Sequence, residues 1–163
     1  MSRLIATFFY IGYLRPGPGT WGSAAAVPVG YLIHVAAGFP GLVVATVLAF
    51  ALGWWATARE TAGSTNQDPS EIVIDEVVGM WIALWPLSFG MWHMGQDPWL
   101  FPYPGWVGGF IMFRLFDIWK PGPVGWADRK KGPMGVMLDD VIAGILAALV
   151  VMAAAALAHG VLM

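Results

Sequence analysis

The chain has 163 residues, 58% hydrophobic and only 11% charged, whereas a soluble domain carries about 25% charge, so an ordinary water-soluble surface is not available to it. Eight Lys and Arg against ten Asp and Glu leave a net charge of −2, too little positive charge for a nucleic-acid partner. Cysteine is absent, which removes disulfides, thiolate metal sites and cysteine nucleophiles.

Residues 1–12, MSRLIATFFYIG, hold one basic residue and a short apolar stretch, with no small-residue cleavage pattern before Arg15-Pro16. They read as a short interfacial helix rather than a secretory leader. No charge then occurs between Arg15 and Arg59, and the turn signal Gly38-Phe39-Pro40-Gly41 divides this stretch into helices at 23–38 and 41–58. Charge-free runs over 77–96, 98–113 and 141–163 predict three more helices, at 76–95, 99–117 and 139–161. A membrane helix needs about 20 mainly apolar residues, so the expected fold is all-α, a polytopic membrane bundle of about five spans in a single domain, 1–163. Pro28 interrupts the first span, and Pro102 and Pro104 the fourth. The alternative, a soluble all-α core, lacks the polar surface to cover it.

Five spans divide the connecting segments between two sides. All eight cations, Arg3, Arg15, Arg59, Arg114, Lys120, Arg129, Lys130 and Lys131, fall on one side, with every acid except Asp97. The positive-inside rule makes that side cytoplasmic.

Three polar segments meet there. Arg15-Pro16-Gly17-Pro18-Gly19-Thr20-Trp21-Gly22-Ser23 is a Gly/Pro loop leading into a helix. Its amides, with the Thr20 or Ser23 hydroxyl, suit a phosphate at a helix N-terminus, although a rigid turn capped by Thr20 or Ser23 is the plainer account. Asp75-Glu76 and Asp139-Asp140 each place two carboxylates at the mouth of an apolar helix, where they repel each other, lose water and need a cation or a proton. Acids in a first helical turn are also favoured by the helix dipole alone. Between the pairs lies Arg114-Leu115-Phe116-Asp117-Ile118-Trp119-Lys120-Pro121. Arg114 and Asp117 share a helical face, either as a plain ion pair with a snorkelling lysine or with Asp117 joining the acids while Arg114 and Lys120 neutralise an anion. Asp75, Glu76, Asp117, Asp139 and Asp140 offer hard oxygen ligands for Mg²⁺, or Mn²⁺, and an ion of this kind beside Arg and Lys at headgroup level is a site for phosphoryl chemistry. His34, His93 and His159 lie within a span or toward the other side and read as packing or interfacial residues.

The strings P-G-T-W-G-S (18–23), I-V-I-D-E-V-V-G-M-W-I (72–82), F-R-L-F-D-I-W-K-P-G-P (113–123) and G-V-M-L-D-D-V-I-A-G (135–144) resemble, in order and spacing, the phosphatidylglycerophosphatase A family. The segment before Thr20 is one residue short of the family pattern, and Gly132-Pro133-Met134-Gly135 carries proline where a second glycine is usual. The resemblance implies Mg²⁺-dependent hydrolysis of phosphatidylglycerophosphate to phosphatidylglycerol and phosphate in phospholipid biosynthesis, at the cytoplasmic face of the bacterial inner membrane, among membrane lipids. It further implies that Asp75, Glu76, Asp117, Lys120, Asp139 and Asp140 form the active-site set, with Thr20 contributing. Ser23, Arg114 and Arg15 are the other residues expected at the phosphate. Other classes remain open: a small divalent-cation transporter or channel, whose acids would normally lie near the bilayer midplane, another lipid-headgroup phosphotransferase, or a non-catalytic lipid-binding subunit. The charge segregation makes a direct prediction: cysteine introduced by Lys130→Cys resists an impermeant thiol reagent in intact cells and reacts once the membrane is broken. Labelling of intact cells would invert the topology.

Overall fold

A computed structural model describes residues 1–66, 68–130 and 132–162, the last four of these as backbone only; Lys131 and the side chain of His159 fall outside the described residues. The described residues are helical, without strands: α1 (Ser2–Ala6), a 3₁₀ turn (Ile11–Tyr13), α2 (Pro18–Glu60), α3 (Ile74–His93), α4 (Tyr103–Trp119), α5 (Pro123–Asp128) and α6 (Pro133–Leu162). The expected N-terminal helix shrinks to one turn, because Phe8, Phe9 and Tyr10 all take positive φ. The six-residue α5 falls in Gly/Pro-rich sequence outside the expected helices.

α2 begins after Gly17, in left-handed conformation, with Pro18 in its first turn, where a missing N–H costs nothing. It holds both of the first two predicted helices. Gly38 interrupts it at φ 62°, ψ −163°, a region open essentially to glycine alone. A Cβ at Gly38 would also lie 2.6 Å from the Trp92 ring. Helical structure resumes with Pro40 near the start of the returning arm.

Contacts with α3 give the directions. On the first arm Gly22 meets Val73, Gly30 meets Trp81, and Gly38 meets Trp92, so this arm runs parallel to α3. On the second arm Thr46 meets Trp85 and Gly53 meets Ile74, so the chain has reversed. α4 is antiparallel to α3, Gly105 lying on Leu87 and Phe113 on Gly79, whereas α6 is parallel to it, Gly144 lying on Gly79. The starts of α2, α3 and α6 and the ends of α2 and α4 therefore share one end of the bundle, and every described Lys and Arg belongs to it.

α3 is the core. Val77, Val78, Met80, Ala83 and Leu84 are almost fully buried, and hydrogen bonds fasten the helix to α2. The Trp81 indole donates to the Ala26 carbonyl at 2.9 Å and His34 Nδ1 pairs with Ser88 Oγ at 2.7 Å, which fits the packing role expected for His34; His93 stacks on Phe89. Leu32, Val44, Val47, Leu48, Leu52, Leu149 and Met152 are exposed, far more apolar surface than a soluble monomer presents. By length and composition two described helices can cross a membrane, Pro18–Glu60 and Pro133–Ala158, against about five expected spans. α3 falls short because Asp, Glu, Gly, Ser, Pro and three Trp dilute it, and a helix enclosed by its neighbours has no need of a lipid-like surface.

Two glycines let α3 and α6 touch backbone to backbone. A Cβ at Gly79 would lie 2.6 Å from the Asp140 carbonyl, and one at Gly144 would lie 2.4 Å from that of Gly79. Gly79→Ala is therefore expected to destabilise the protein by about 1–3 kcal/mol, as overpacking does, and to lower its melting temperature in detergent. Gly108→Ala, with open space around the added methyl, changes it little; equal effects of the two substitutions would refute this close crossing.

Candidate active site

The parallel α3 and α6 bring the two acidic pairs together across 64 residues of sequence. Single carboxylate oxygens of Asp75, Glu76 and Asp140 lie within 4.8 Å of one another. Asp75 is 7% exposed, Asp139 7% and Asp140 3%. Asp75 Oδ1, Glu76 Oε2, Asp139 Oδ1 and Asp140 Oδ1 are buried with no hydrogen-bond partner. Unpaired buried acceptors of this kind are costly, and a divalent cation taking oxygen ligands satisfies several at once. The donor set thus fits the expected Mg²⁺ or Mn²⁺, with Asp75, Glu76 and Asp140 nearest one another.

The end of α4 supplies the cations. Arg114 Nη1 donates to Asp117 Oδ2 at 2.5 Å and to Ser23 Oγ at 3.5 Å, while its buried Nε has no partner. Asp117 is close enough to Asp140 for the two charges to act on each other. Ser23 is fully buried and its hydroxyl also donates to the Gly19 carbonyl at 2.8 Å, so it orients Arg114 from the first turns of α2. Gly19 is the residue of the Gly/Pro loop that touches the acids: a Cβ there would lie 2.1 Å from Glu76 Oε1 and 3.2 Å from Arg114 Nη1.

Lys120 ends α4 in left-handed conformation, which turns its ammonium toward α5 and α6. It donates to Asp139 Oδ2 at 3.0 Å and to Asp128. Burial works against its charge, but the hydrogen bonds to Asp128 and Asp139 outweigh this and hold its pKa above the ordinary lysine value, so Lys120 is cationic at physiological pH. Beside it a polar cavity of about 240 Å³ is lined by Asn66, Asp68, Asp128, Lys130 and Asp139, among others.

Most of the expected set is therefore in one place: Asp75, Glu76, Asp117, Lys120, Asp139, Asp140, Arg114 and Ser23. Thr20 is exposed on the first turn of α2, and its amide, like that of Trp21, is bonded to the Gly17 carbonyl. Arg15 is exposed and bonded to Ser70 Oγ at 3.3 Å; among the described residues neither has a hydrogen bond to the acids. Sequence reasoning missed Asp128, whose pairing depends on α5; the Gly/Pro run at 121–125, which must fold back on itself, was the available signal.

The sequence model of the phosphatidylglycerophosphatase A family matches residues 4–155. The chain belongs to that family. It is accordingly a phosphatase. The Haemophilus influenzae phosphatidylglycerophosphatase A is 36% identical over 93% of this chain and 86% of its own length. The Escherichia coli phosphatidylglycerophosphatase A is 36% identical over 90% of this chain and 78% of its own. No solved structure gives a significant match.

If the orphaned oxygens hold a cation, saturating Mg²⁺ at about 100 times Kd should stabilise the folded protein by about 2.7 kcal/mol, roughly 5–10 °C in melting temperature for a chain of this size. Asp140→Asn should remove that response and, by relieving like-charge repulsion, raise the melting temperature in chelator. A full Mg²⁺ response in the variant would show that the ion binds elsewhere.

Proposed function

We propose that this protein hydrolyses phosphatidylglycerophosphate to phosphatidylglycerol and phosphate, in phospholipid biosynthesis, with Mg²⁺ or Mn²⁺ as cofactor and the site at the cytoplasmic face of the bacterial inner membrane. The observation that carries the reading is the convergence of buried, unpaired carboxylate oxygens from α3 and α6 beside Arg114. The names of the Haemophilus influenzae and Escherichia coli relatives support the substrate.

Five crossings fit the helix directions. The two arms of α2, with α3, α4 and α6, alternate along one axis, and 20 residues at 1.5 Å each make about 30 Å, the thickness of the hydrocarbon core. All cations among the described residues then lie on one side, which is cytoplasmic.

Asp75, Glu76 and Asp140, with Asp117 beside them, would hold the ion, and Asp139 is left to serve the attacking water. When bound, a divalent ion supplies Lewis-acid polarisation of a phosphoryl oxygen and a lowered pKa for water. The chain's own groups do the rest. Arg114, fixed by Asp117 and Ser23, presents its guanidinium to the phosphate oxygens, a fork that lysine cannot reproduce. Lys120 holds Asp139 by one oxygen, leaving the buried Oδ1 free at the edge of the polar cavity to accept a proton from the attacking water. The water oxygen bonds to phosphorus, the bond from phosphorus to the glycerol oxygen breaks, and that oxygen takes up the proton held by Asp139 and leaves as the alcohol. Thr20 and Arg15, exposed at the same end, contribute at the rim.

Purified protein should release phosphate from phosphatidylglycerophosphate, lose this activity in EDTA and regain it with Mg²⁺. Asp75→Asn and Asp140→Asn should each abolish turnover, and the double variant should be no worse than either, because groups acting as a unit are not additive. Metal-independent inactivity of the folded wild-type protein would overturn the reading, and multiplicative losses would separate the pairs into independent sites.

A further inference from the structure

α2 and α4 do not close on each other beside the site. Between them lies a cavity of about 530 Å³, lined by Ala24, Val27, Pro28 and Tyr31 of α2 and by Trp106 and Phe110 of α4, with Trp99 and Phe101 at its far end. The walls are apolar, and the Tyr31 hydroxyl is engaged with the Trp99 carbonyl at 3.0 Å. That end is closed by rings: Tyr31 lies 5.3 Å from Phe101 and 6.4 Å from Trp99 between centroids. The other end lies toward the acidic site, since Ala24 follows Ser23 and Phe110 precedes Arg114 by one helical turn.

Depth decides what fits. Counted from the start of α2, Ala24 to Tyr31 spans about 9–20 Å into the bundle at 1.5 Å per residue, and one leaflet of a roughly 30 Å core is about 15 Å deep. An apolar trough of that depth, closed away from the headgroups and reaching at Phe110 to within one helical turn of Arg114, whose buried Nε is unpaired, matches a lipid's own polarity, chain inside and phosphate at Arg114. We propose that this trough seats one acyl chain of the substrate and thereby aligns the headgroup with the acidic site. The inference rests on the phosphatase reading and adds a chain-recognition subsite to it. A trough that merely took up bulk lipid would not influence turnover.

The test compares phosphatidylglycerophosphate carrying long chains with a dibutanoyl form too short to reach the trough. Val27→Trp and Ala24→Leu should lower kcat/KM for the long-chain substrate on the order of tenfold more than for the short one, mostly through KM, the size expected from displacing about two buried methylenes. Leu149→Trp, at a residue of α6 that is 53% exposed, should leave the long-to-short ratio within about twofold of wild type, as a measure of added bulk alone. Equal losses on both substrates, or none, overturn the acyl seat while leaving the phosphatase reading intact. Wild-type protein inert toward both chain lengths sinks that reading and this inference with it. A measurement on wild-type protein guards against misfolded variants: phosphatidylglycerol with a diazirine at mid-chain should crosslink to the wall containing Val27 and Trp106, and crosslinks confined to the outer faces of α2 and α6 would overturn the proposal.

Discussion

Like charges held together out of water are the constraint on which this structure turns. Asp75, Glu76 and Asp140 come from two helices, lie within 4.8 Å of one another and keep buried oxygens without partners. Left alone, such a cluster drives its helices apart or takes up protons. What opposes it is the packing of α3, an almost fully enclosed helix whose indoles and Ser88 are hydrogen-bonded to α2. Gly79 and Gly144 allow α6 to approach it backbone to backbone, and this approach puts Asp140 beside Asp75.

The same packing makes the site rigid. The acids of the cluster and Arg114 stand on helices near the shared end of the bundle, so their positions are set by the bundle rather than by a loop. Arg114 is held from two directions, by Asp117 on its own helix and by Ser23 on α2. Lys120 bridges α5 and α6 through Asp128 and Asp139. Negative charge is thus concentrated where the starts of α3 and α6 meet, and positive charge lies next to it on α4, an arrangement suited to a cation and a phosphate held side by side.

Much of this was legible in the chain. The turn at Gly38 to Gly41, the five apolar segments and the grouping of the cations on one side follow from hydrophobic runs and charges, which are local properties. The acidic pairs were visible because each stands as two adjacent carboxylates at the edge of a long charge-free run, although Asp139-Asp140 lies beyond the first turn of α6 rather than at its opening. The boundaries moved, the fourth helix from 99–117 to Tyr103–Trp119 and the last from 139–161 to Pro133–Leu162, since helices begin at Pro102-Tyr103 and Pro133 rather than where charge ends. Ser23 looked like a cap or a phosphate ligand, whereas its hydroxyl is spent on Gly19 and Arg114, a contact 91 residues away that no local pattern encodes. Asp128 escaped notice for the same reason, and α3 proved the core although it is not the most apolar helix, because enclosure depends on neighbours.

The central claim is that the carboxylate cluster and the lipid phosphate share one site. Mn²⁺ bound to the purified protein, together with a non-hydrolysable phosphonate analogue of phosphatidylglycerophosphate, tests it through paramagnetic relaxation of the ³¹P signal. The account predicts strong broadening of the terminal phosphonate resonance in the wild-type protein, lost in Asp140→Asn while the analogue still binds. Mn²⁺ bound at the cluster with no effect on that resonance would contradict it.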